Sequence, residues 1–227
     1  MAHSSRRITR KDLRQPDWFQ VATENTLAFY RLHPAKVLAA GAAFVVLLLA
    51  IWGWQLFRER QNASASGQFA QASALYQTGR FREALAGFEK VAAYRWSRYA
   101  GLAHLYQANS LLALDDFDKA IGSAQRFIAA TQPDSLYRQV GLLTLAYAEE
   151  RKGLFQSAGG HYGEAAKITG PFGATAMLGR ARCAELAGDN NAALAAYKDY
   201  LREQPASPIS LRVAELEAKA AARPAAK

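Results

Sequence analysis

The sequence predicts an all-α protein in which a single N-terminal transmembrane helix is followed by an α-solenoid of about four helix pairs and a C-terminal capping helix. Two observations support this prediction: residues 37–57 contain no charged side chain, and one pattern of helix, turn and helix recurs four times after them. The predicted segments are a basic cytoplasmic segment with an amphipathic helix (1–36), the transmembrane helix (37–57), a linker or helix continuation (58–67), the repeat domain (68–206), the capping helix (207–220) and a disordered tail (221–227).

The uncharged segment has the length of one membrane crossing. At about 1.5 Å of rise per residue, its 21 residues reach about 30 Å, which is the thickness of the hydrocarbon core of a bilayer. Pro34 precedes it at a position where a helix can begin without losing a needed amide hydrogen bond. Trp52, Trp54 and Phe57 follow at its far end, and aromatic rings favour the headgroup region. We therefore expect these three residues at a membrane interface.

Basic residues predict the orientation of the segment. Residues 1–36 contain seven Lys and Arg, whereas the 20 residues after Phe57 contain only Arg58 and Arg60. Because Lys and Arg near a span stay on the cytoplasmic side, we expect a cytoplasmic N-terminus and an extracytoplasmic C-terminal domain. The N-terminal segment also includes an amphipathic stretch, in which Trp18 and Phe19 are expected to lie at the inner membrane surface.

A cleaved signal peptide is the alternative to a permanent anchor. Ala63-Ser64-Ala65 has the small-x-small form that a signal peptidase recognises. The basic region would be 36 residues long, however, and the apolar run exceeds the usual length of about 7 to 15 residues. Charged Arg58-Glu59-Arg60 also separates that run from the cleavage motif. The sequence favours an anchor and leaves cleavage at Ala65 open.

The C-terminal part contains an internal repeat. Four turn positions are each followed five residues later by alanine, with spacings of 36, 38 and 35 between repeats. A residue four positions after each alanine is aromatic in three of the four repeats. Small residues let two helix axes approach, and aromatic residues fill the space between neighbouring pairs. In order, the turn, alanine and following residues are Gly79, Ala84 and Phe88; Asp115, Ala120 and Ala124; Gly153, Ala158 and Tyr162; and Gly188, Ala193 and Tyr197.

These turn, alanine, aromatic and terminal proline positions resemble the tetratricopeptide repeat (TPR) family, whose unit is about 34 residues. With the basic N-terminal run ITRKDLRQPDWF and one predicted span, the architecture resembles the YfgM-type ancillary subunits of the bacterial Sec translocon. This resemblance implies a single-pass protein of the bacterial inner membrane with a periplasmic repeat domain. It also implies that the partners are proteins or peptides, including the SecYEG translocon and periplasmic chaperones.

In a repeat array of this kind, the helices before the turns line a concave groove that suits an extended or helical peptide. Counting back from the shared turn predicts six groove residues, namely Tyr76, Asn109, Tyr147, Arg151, Arg182 and Glu185. Aromatic and arginine side chains are enriched in binding hot spots. Tyr76 and Tyr147 are equally well explained as packing between repeats. The positions that carry lysine in chaperone-binding clamps of this family correspond to Phe69, Leu105, Leu143 and Leu178, so we expect a more apolar groove.

Aromatic and basic side chains also meet at the junction of the first two repeats, in the segment from Tyr94 to Tyr99. This segment includes Trp96, flanked by Arg95 and Arg98. Packing between the repeats is the favoured interpretation, because tryptophan has a large area to bury. Contact with the membrane or with a membrane partner is the alternative.

The sequence offers little evidence of catalysis. The four histidines are scattered, and Cys183 is the single cysteine, so neither an intramolecular disulfide nor a metal-ligand spacing is present. Asp115, Asp116 and Asp118 are expected to form a solvated helix cap, and residues 149–152 an exposed helix end. The net charge of +9 is spread without a basic stripe typical of nucleic-acid binding. We expect no enzyme activity, no cofactor and no nucleic-acid partner.

Three functions remain open from the sequence. The first is an interaction protein that tethers partners at the outer face of the inner membrane, close to the translocon. The second is a structural scaffold of another envelope complex that serves secretion, cell-wall assembly or division. The third is an accessory of a membrane-associated hydrolase or transferase. The sequence does not indicate an oligomeric state.

Overall fold

The computed structural model describes residues 23, 24, 28 and 31–222. Trp18 and Phe19, which were predicted to lie at the membrane interface, are outside the described residues, as are residues 223–227 of the predicted tail. Between Pro34 and Ala222 the chain forms nine helices and no strand, which confirms the predicted all-α class. The helices are α1 (Pro34–Gln77), α2 (Phe81–Ala92), α3 (Tyr99–Ala113), α4 (Phe117–Ala129), α5 (Leu136–Lys152), α6 (Phe155–Lys167), α7 (Gly173–Leu186), α8 (Asn190–Glu203) and α9 (Ile209–Ala222).

The chain divides into two compact units between Phe57 and Arg58. The first contains the apolar part of α1, where large side chains such as Leu49 and Trp52 are exposed. Among the described helices, α1 is the one that is long and apolar enough to cross a membrane. Its uncharged segment, 37–57, ends at the unit boundary.

The second unit, Arg58–Lys227, contains the repeats. We call the helix before each turn the A helix and the helix after it the B helix. The A helices are the C-terminal part of α1, α3, α5 and α7, and the B helices are α2, α4, α6 and α8. From α2 onward each helix packs against the next one along the chain, and the A helices α3 and α5 also contact each other. Such nearest-neighbour stacking is the architecture of an α-solenoid.

Each A helix meets its B helix at a turn that contains a positive φ angle. The four turn residues have φ values of 76° at Gly79, 58° at Asp115, 86° at Gly153 and 82° at Gly188. Glycine adopts this left-handed conformation without a steric cost, and aspartate tolerates it better than most residues. The predicted turns, including aspartate in the second, are therefore confirmed.

The predicted packing positions form the core. The alanines five residues after each turn are all fully buried, and Phe88, Tyr162 and Tyr197 are buried between helices. At the first pair, Phe88 packs with Ala65 and Ala72 of α1. Cleavage after Ala65 would remove this residue from the core of the first repeat.

The final helix, α9, covers the last repeat. Val213 and Leu216 of α9 pack against Ala193 and Tyr197 of α8. The outward side of α9 includes Leu211, which is exposed. This arrangement has the form of a terminal helix that closes the open end of a repeat array.

The turn geometry generates a stability prediction. Gly153→Ala should lower the free energy of unfolding by about 1 to 2 kcal/mol, because a Cβ atom is unfavourable in the left-handed conformation. Gly160 is the matched control, since it lies within α6 and an added methyl group would meet no atom within 4 Å. Gly160→Ala should raise the free energy of unfolding by about 0.5 to 1 kcal/mol. Urea denaturation of the full chain in detergent, followed by circular dichroism, measures both; changes of the same sign would contradict the prediction.

Candidate protein-interaction surface

The third and fourth repeats are joined by a carboxylate that receives three hydrogen bonds. Arg182 on α7 donates from Nε to Oε1 of Glu150 at 2.6 Å and from Nη2 to Oε2 at 2.7 Å. The hydroxyl of Tyr162 on α6 donates to the same Oε2 at 3.0 Å. Glu150 lies on α5, so one carboxylate connects three helices of two neighbouring repeats. A bidentate guanidinium–carboxylate pair of this kind fixes orientation as well as charge.

The same arrangement recurs one repeat later. Glu185 on α7 accepts a hydrogen bond from the hydroxyl of Tyr197 on α8 at 3.0 Å. It also forms an ion pair with Arg212 on the capping helix α9. Glu150 and Glu185 each lie three residues before a turn glycine, and each tyrosine follows its glutamate by twelve residues. The capping helix thus supplies the arginine that the next A helix would otherwise provide.

Sequence reasoning missed most of this network. It expected Glu149 and Glu150 to lie at an exposed helix end, and that expectation is wrong. The side chain of Glu150 is only 11% exposed. Glu149 is buried and accepts a hydrogen bond from Ser157, with His161 Nδ1 at 2.7 Å from its second oxygen. The repeated spacing of glutamate and tyrosine around the turns is the signal that could have revealed the network.

The protonation equilibria reflect this packing. Burial acts to raise the pKa of Glu150, but the hydrogen bonds and positive charge of Arg182 outweigh burial and leave that pKa below its ordinary value. Burial and the same carboxylate raise the pKa of Tyr162. Burial and Glu185 raise the pKa of Tyr197 to about 12. At neutral pH, both glutamates are therefore ionised and both tyrosines remain hydrogen-bond donors.

The first two repeats use aromatic packing where the last two use ion pairs. Phe88 stacks on Tyr106 with ring centroids 5.0 Å apart, and Phe69 meets both rings edge-on. Tyr76 packs edge-on against Phe81 and Tyr106, at 5.3 and 5.7 Å. Tyr76 occupies the position, three residues before the turn, that Glu150 and Glu185 occupy later. The contacts of Tyr76 therefore include packing between the first and second repeats.

Tyr147 and Arg151 instead lie at an exposed patch. The side chains of Tyr147 and Arg151 are 41% and 43% exposed. Arg151 donates to the Tyr147 hydroxyl at 3.2 Å and to Asp115 at 2.8 Å, and its guanidinium carbon lies 5.1 Å from the ring centre of Phe117. We call these four residues the Tyr147–Arg151 patch. It joins aromatic surface, one cation and one anion at the turns of the second and third repeats.

The six predicted groove residues thus have different surroundings. Tyr76 lies in the aromatic cluster, Asn109 is half-buried on α3, and Tyr147 and Arg151 form the exposed patch. Arg182 and Glu185 belong to separate ion pairs that join repeats.

The junction of the first two repeats is packed in part and exposed in part. Tyr94 accepts a hydrogen bond from Gln68 at 2.8 Å. Tyr94 and Tyr99 also pack against the buried cluster of the first repeat, which includes Phe88. Trp96, by contrast, is 56% exposed. Packing between repeats therefore accounts for the two tyrosines and leaves most of the indole surface accessible.

The buried thiol and the acidic turn have structural surroundings. Cys183 is fully buried, and burial together with Glu150 raises its pKa to about 12, so the thiol is protonated at neutral pH. Asp116 caps α4 by accepting a hydrogen bond from the Lys119 amide. Within the described part of the chain, no three His, Cys, Asp or Glu side chains gather in a group that could hold a metal ion.

Stacked helix pairs that are joined by packing and by ion pairs define an α-solenoid repeat protein. The model of the tetratricopeptide repeat family matches residues 69–135 and 143–208, which together make up more than half of the chain. The chain belongs to the tetratricopeptide repeat family. Repeats of this family mediate protein–protein interactions, and proteins built from them are typically non-enzymatic scaffolds for such interactions.

Two solved structures with TM-scores above 0.5 show the same fold. One of them is a kinesin light chain from Podosopora anserina, whose TPR-like repeats are nearly identical to one another. Its sequence is 17% identical to this chain and its TM-score is 0.55, and the match covers 63% of this chain and 76% of that one. A single-substitution variant of the same repeats is 16% identical to this chain with a TM-score of 0.55, and the match covers 65% of this chain and 77% of that one. A thermophilic TPR protein of Thermus thermophilus is 23% identical to this chain with a TM-score of 0.47, and the match covers 68% of this chain and 82% of that one. A search of curated proteins found no match.

The ion pair between repeats generates a second prediction. Arg182→Ala should lower the free energy of unfolding at pH 7 by about 1 to 3 kcal/mol, because it leaves a largely buried carboxylate without its cation. The folded-state pKa of Glu150 is depressed, so the stability that the pair contributes is present above the ordinary carboxyl pKa of 4.5 and is lost as the pH falls below it. The difference from the unsubstituted protein should therefore shrink in acid.

Urea denaturation at pH 7 and in the acid range measures this difference. Arg202→Ala is the control, because Arg202 forms a 2.8 Å ion pair with Asp199 in which both side chains are mostly exposed. This control should change stability by less than about 1 kcal/mol. An effect of Arg182→Ala that does not vary with pH would show that packing, and not the ion pair, is responsible.

Proposed function

We propose that this protein is a membrane-anchored TPR interaction protein that holds partner proteins at the outer face of the bacterial inner membrane, near the Sec translocon and periplasmic chaperones. The observation that carries this proposal is that an uncharged, exposed apolar segment, 37–57, comes shortly before the first A helix in the chain. A membrane span would place a protein-binding repeat array at the membrane surface. Tethering raises the effective concentration of a weak binder without adding a contact.

The charge distribution supports the proposed orientation. Seven basic residues lie before the span and two follow closely after it, so the N-terminus is cytoplasmic and the repeats lie in the periplasm. The exposed apolar side chains of the segment support a span as well. Leucine, valine, isoleucine, phenylalanine and tryptophan side chains are exposed there along more than three helical turns, a surface that soluble proteins rarely leave in water.

The proposed partner surface consists of the six predicted groove residues, two of which are Tyr147 and Arg151, together with the other two members of the Tyr147–Arg151 patch, Asp115 and Phe117. Tyrosine and arginine can contribute large, partly apolar contacts together with hydrogen bonds, which is typical of binding hot spots. Arg182 and Glu185 contribute by holding neighbouring repeats in register. A peptide or an exposed protein segment with both apolar and charged side chains fits this chemistry.

Topology can be tested with engineered cysteines. Gln156→Cys places a thiol at an exposed position of α6, whereas Ser4→Cys places one in the basic N-terminal segment. In spheroplasts of a Gram-negative host, a membrane-impermeant maleimide should label the first variant directly and the second only after lysis. The native Cys183 is buried and serves as the background control. Labelling in the reverse order would overturn the orientation, and recovery of the chain in the soluble fraction would overturn the anchor.

Partner binding can be tested by purifying the full chain from native membranes in mild detergent and identifying the bound proteins by mass spectrometry. Tyr147→Ala combined with Arg151→Ala should reduce periplasmic partners several-fold, while a chain lacking residues 68–227 should lose them but keep any subunit bound through the anchor. Arg202→Ala is the matched control and should retain all partners. Recovery of one defined envelope assembly without translocon subunits would overturn the translocon proposal in favour of a scaffold.

A further inference from the structure

We propose that one edge of the repeat domain is a lipid-binding surface that rests on the anionic phospholipid headgroups beside the span. This inference rests on the proposed membrane anchor and goes beyond it by assigning a second contact with the bilayer. The surface lies where B helices connect to the following A helices. We call it the connection edge, and it consists of residues 93–98, 130–137 and 168–172.

Large apolar side chains are exposed along this edge. Trp96 is 56% exposed and Tyr137 is 59% exposed, and Leu136 and Phe172 are also exposed. Tryptophan and tyrosine are the side chains that favour the membrane–water interface, because each combines an apolar ring with a polar group. Four exposed apolar or aromatic residues on three consecutive connections make a coherent surface.

A cleft opens between the first two connections. It has a volume of about 460 Å³ and lies between the start of α3, the end of α4 and the start of α5. Arg98, Tyr99 and Tyr137 line it together with apolar side chains that include Leu102 and Phe127. An apolar cleft with an arginine beside it can accept part of an acyl chain while the guanidinium meets a phosphate.

The charge of this edge suits an anionic surface. Arg95 and Arg98 are both exposed, and within the described residues neither forms a salt bridge. Basic side chains close to an anionic membrane are attracted to it. The connection edge also contains one exposed carboxylate, Asp134, so its basic side chains outnumber its acidic ones by one. Anionic lipid would therefore attract the connection edge through Arg95 and Arg98.

Chain length limits how far Arg98 can lie from the end of the uncharged segment. The amide of Arg98 donates a hydrogen bond to Oδ1 of Asn62 at 3.0 Å. Asn62 follows Phe57, the last residue of the uncharged segment, by five residues. Five residues reach at most about 18 Å even when fully extended. The distance from Phe57 to the Arg98 backbone is therefore at most this reach plus the length of the Asn62 side chain and one hydrogen bond.

Lipid is favoured over a protein partner by this proximity. Aromatic and arginine side chains also suit a protein interface, but a headgroup layer is present beside every copy of an anchored chain. The headgroup region occupies several ångströms on each side of the hydrocarbon core. Contact at the connection edge needs no further molecule beyond the bilayer that holds the span.

Depth-dependent fluorescence quenching tests the proposal on the full chain in lipid vesicles without any other protein. One variant retains Trp96 as its single tryptophan, through Trp18→Phe, Trp52→Phe and Trp54→Phe. A second variant retains only Trp52, through Trp18→Phe, Trp54→Phe and Trp96→Phe. Vesicles contain brominated phospholipids, either zwitterionic alone or mixed with anionic phosphatidylglycerol. We expect bromines on the outer part of the acyl chains, just below the headgroups, to quench Trp52 in both mixtures. Bromines near the headgroups should quench Trp96, more strongly in anionic vesicles.

Charge substitutions identify the edge responsible. In the single-Trp96 variant, Arg95→Gln with Arg98→Gln should remove the additional quenching in anionic vesicles. Arg82→Gln is the matched control, since Arg82 is an exposed arginine beside the turn of the first repeat, and it should leave quenching unchanged. Equal losses from both substitutions would overturn the assignment to the connection edge.

The two proposals fail in different ways. Quenching of Trp52 without quenching of Trp96 would overturn the lipid-binding edge and leave the anchor intact; the exposed aromatics would then belong to a protein partner. Absence of quenching at Trp52 would overturn the anchor, and the lipid-binding edge with it.

Discussion

The structure depends on one constraint: a helix pair of this size cannot bury its own apolar face and must stack on a neighbour. Every repeat here meets that constraint with the same device, in which a buried alanine five residues after the turn lets the A and B helices approach closely. The turn itself needs a left-handed residue, which is why Gly79, Asp115, Gly153 and Gly188 recur at one position. With these two requirements met, each added pair extends the array, and α9 ends it by covering the last apolar face.

The side chains at the interfaces between repeats change along the array, while the helix–turn–helix unit is the same in every repeat. At the first interface, rings of Phe69, Phe88 and Tyr106 fill the space between pairs. At the third, Glu150, Tyr162 and Arg182 occupy the corresponding region with hydrogen bonds and charge. Aromatic packing tolerates small displacements, whereas a bidentate ion pair fixes one register. Neighbouring repeats in the C-terminal half are therefore held by directional bonds, and the exposed Tyr147–Arg151 patch lies where the two kinds of interface meet.

The sites that remain accessible are set by what this packing leaves uncovered. Tyr94 and Tyr99 are used to join the first two repeats, but Trp96, between them in sequence, has more than half of its surface exposed. Arg182 and Glu185 were predicted to line a groove, and each is engaged in an ion pair that joins repeats. Sequence spacing placed these residues on the correct helices. It could not distinguish a side chain that joins two repeats from one that faces a partner, because both lie on the same part of an A helix.

The sequence by itself determined the all-α class, the four turns, the alanine and aromatic packing positions and the uncharged segment, because each follows from local spacing and composition. Tertiary structure decided the network around Glu149 and Glu150. Two glutamates followed by Arg151 and Lys152 indicate an exposed helix end when only the neighbouring residues are known. Arg182, 32 residues from Glu150 in the chain, and Tyr162 instead bury that carboxylate and satisfy it. Whether a charged side chain is exposed depends on which residues the fold brings beside it, and local sequence does not contain that information.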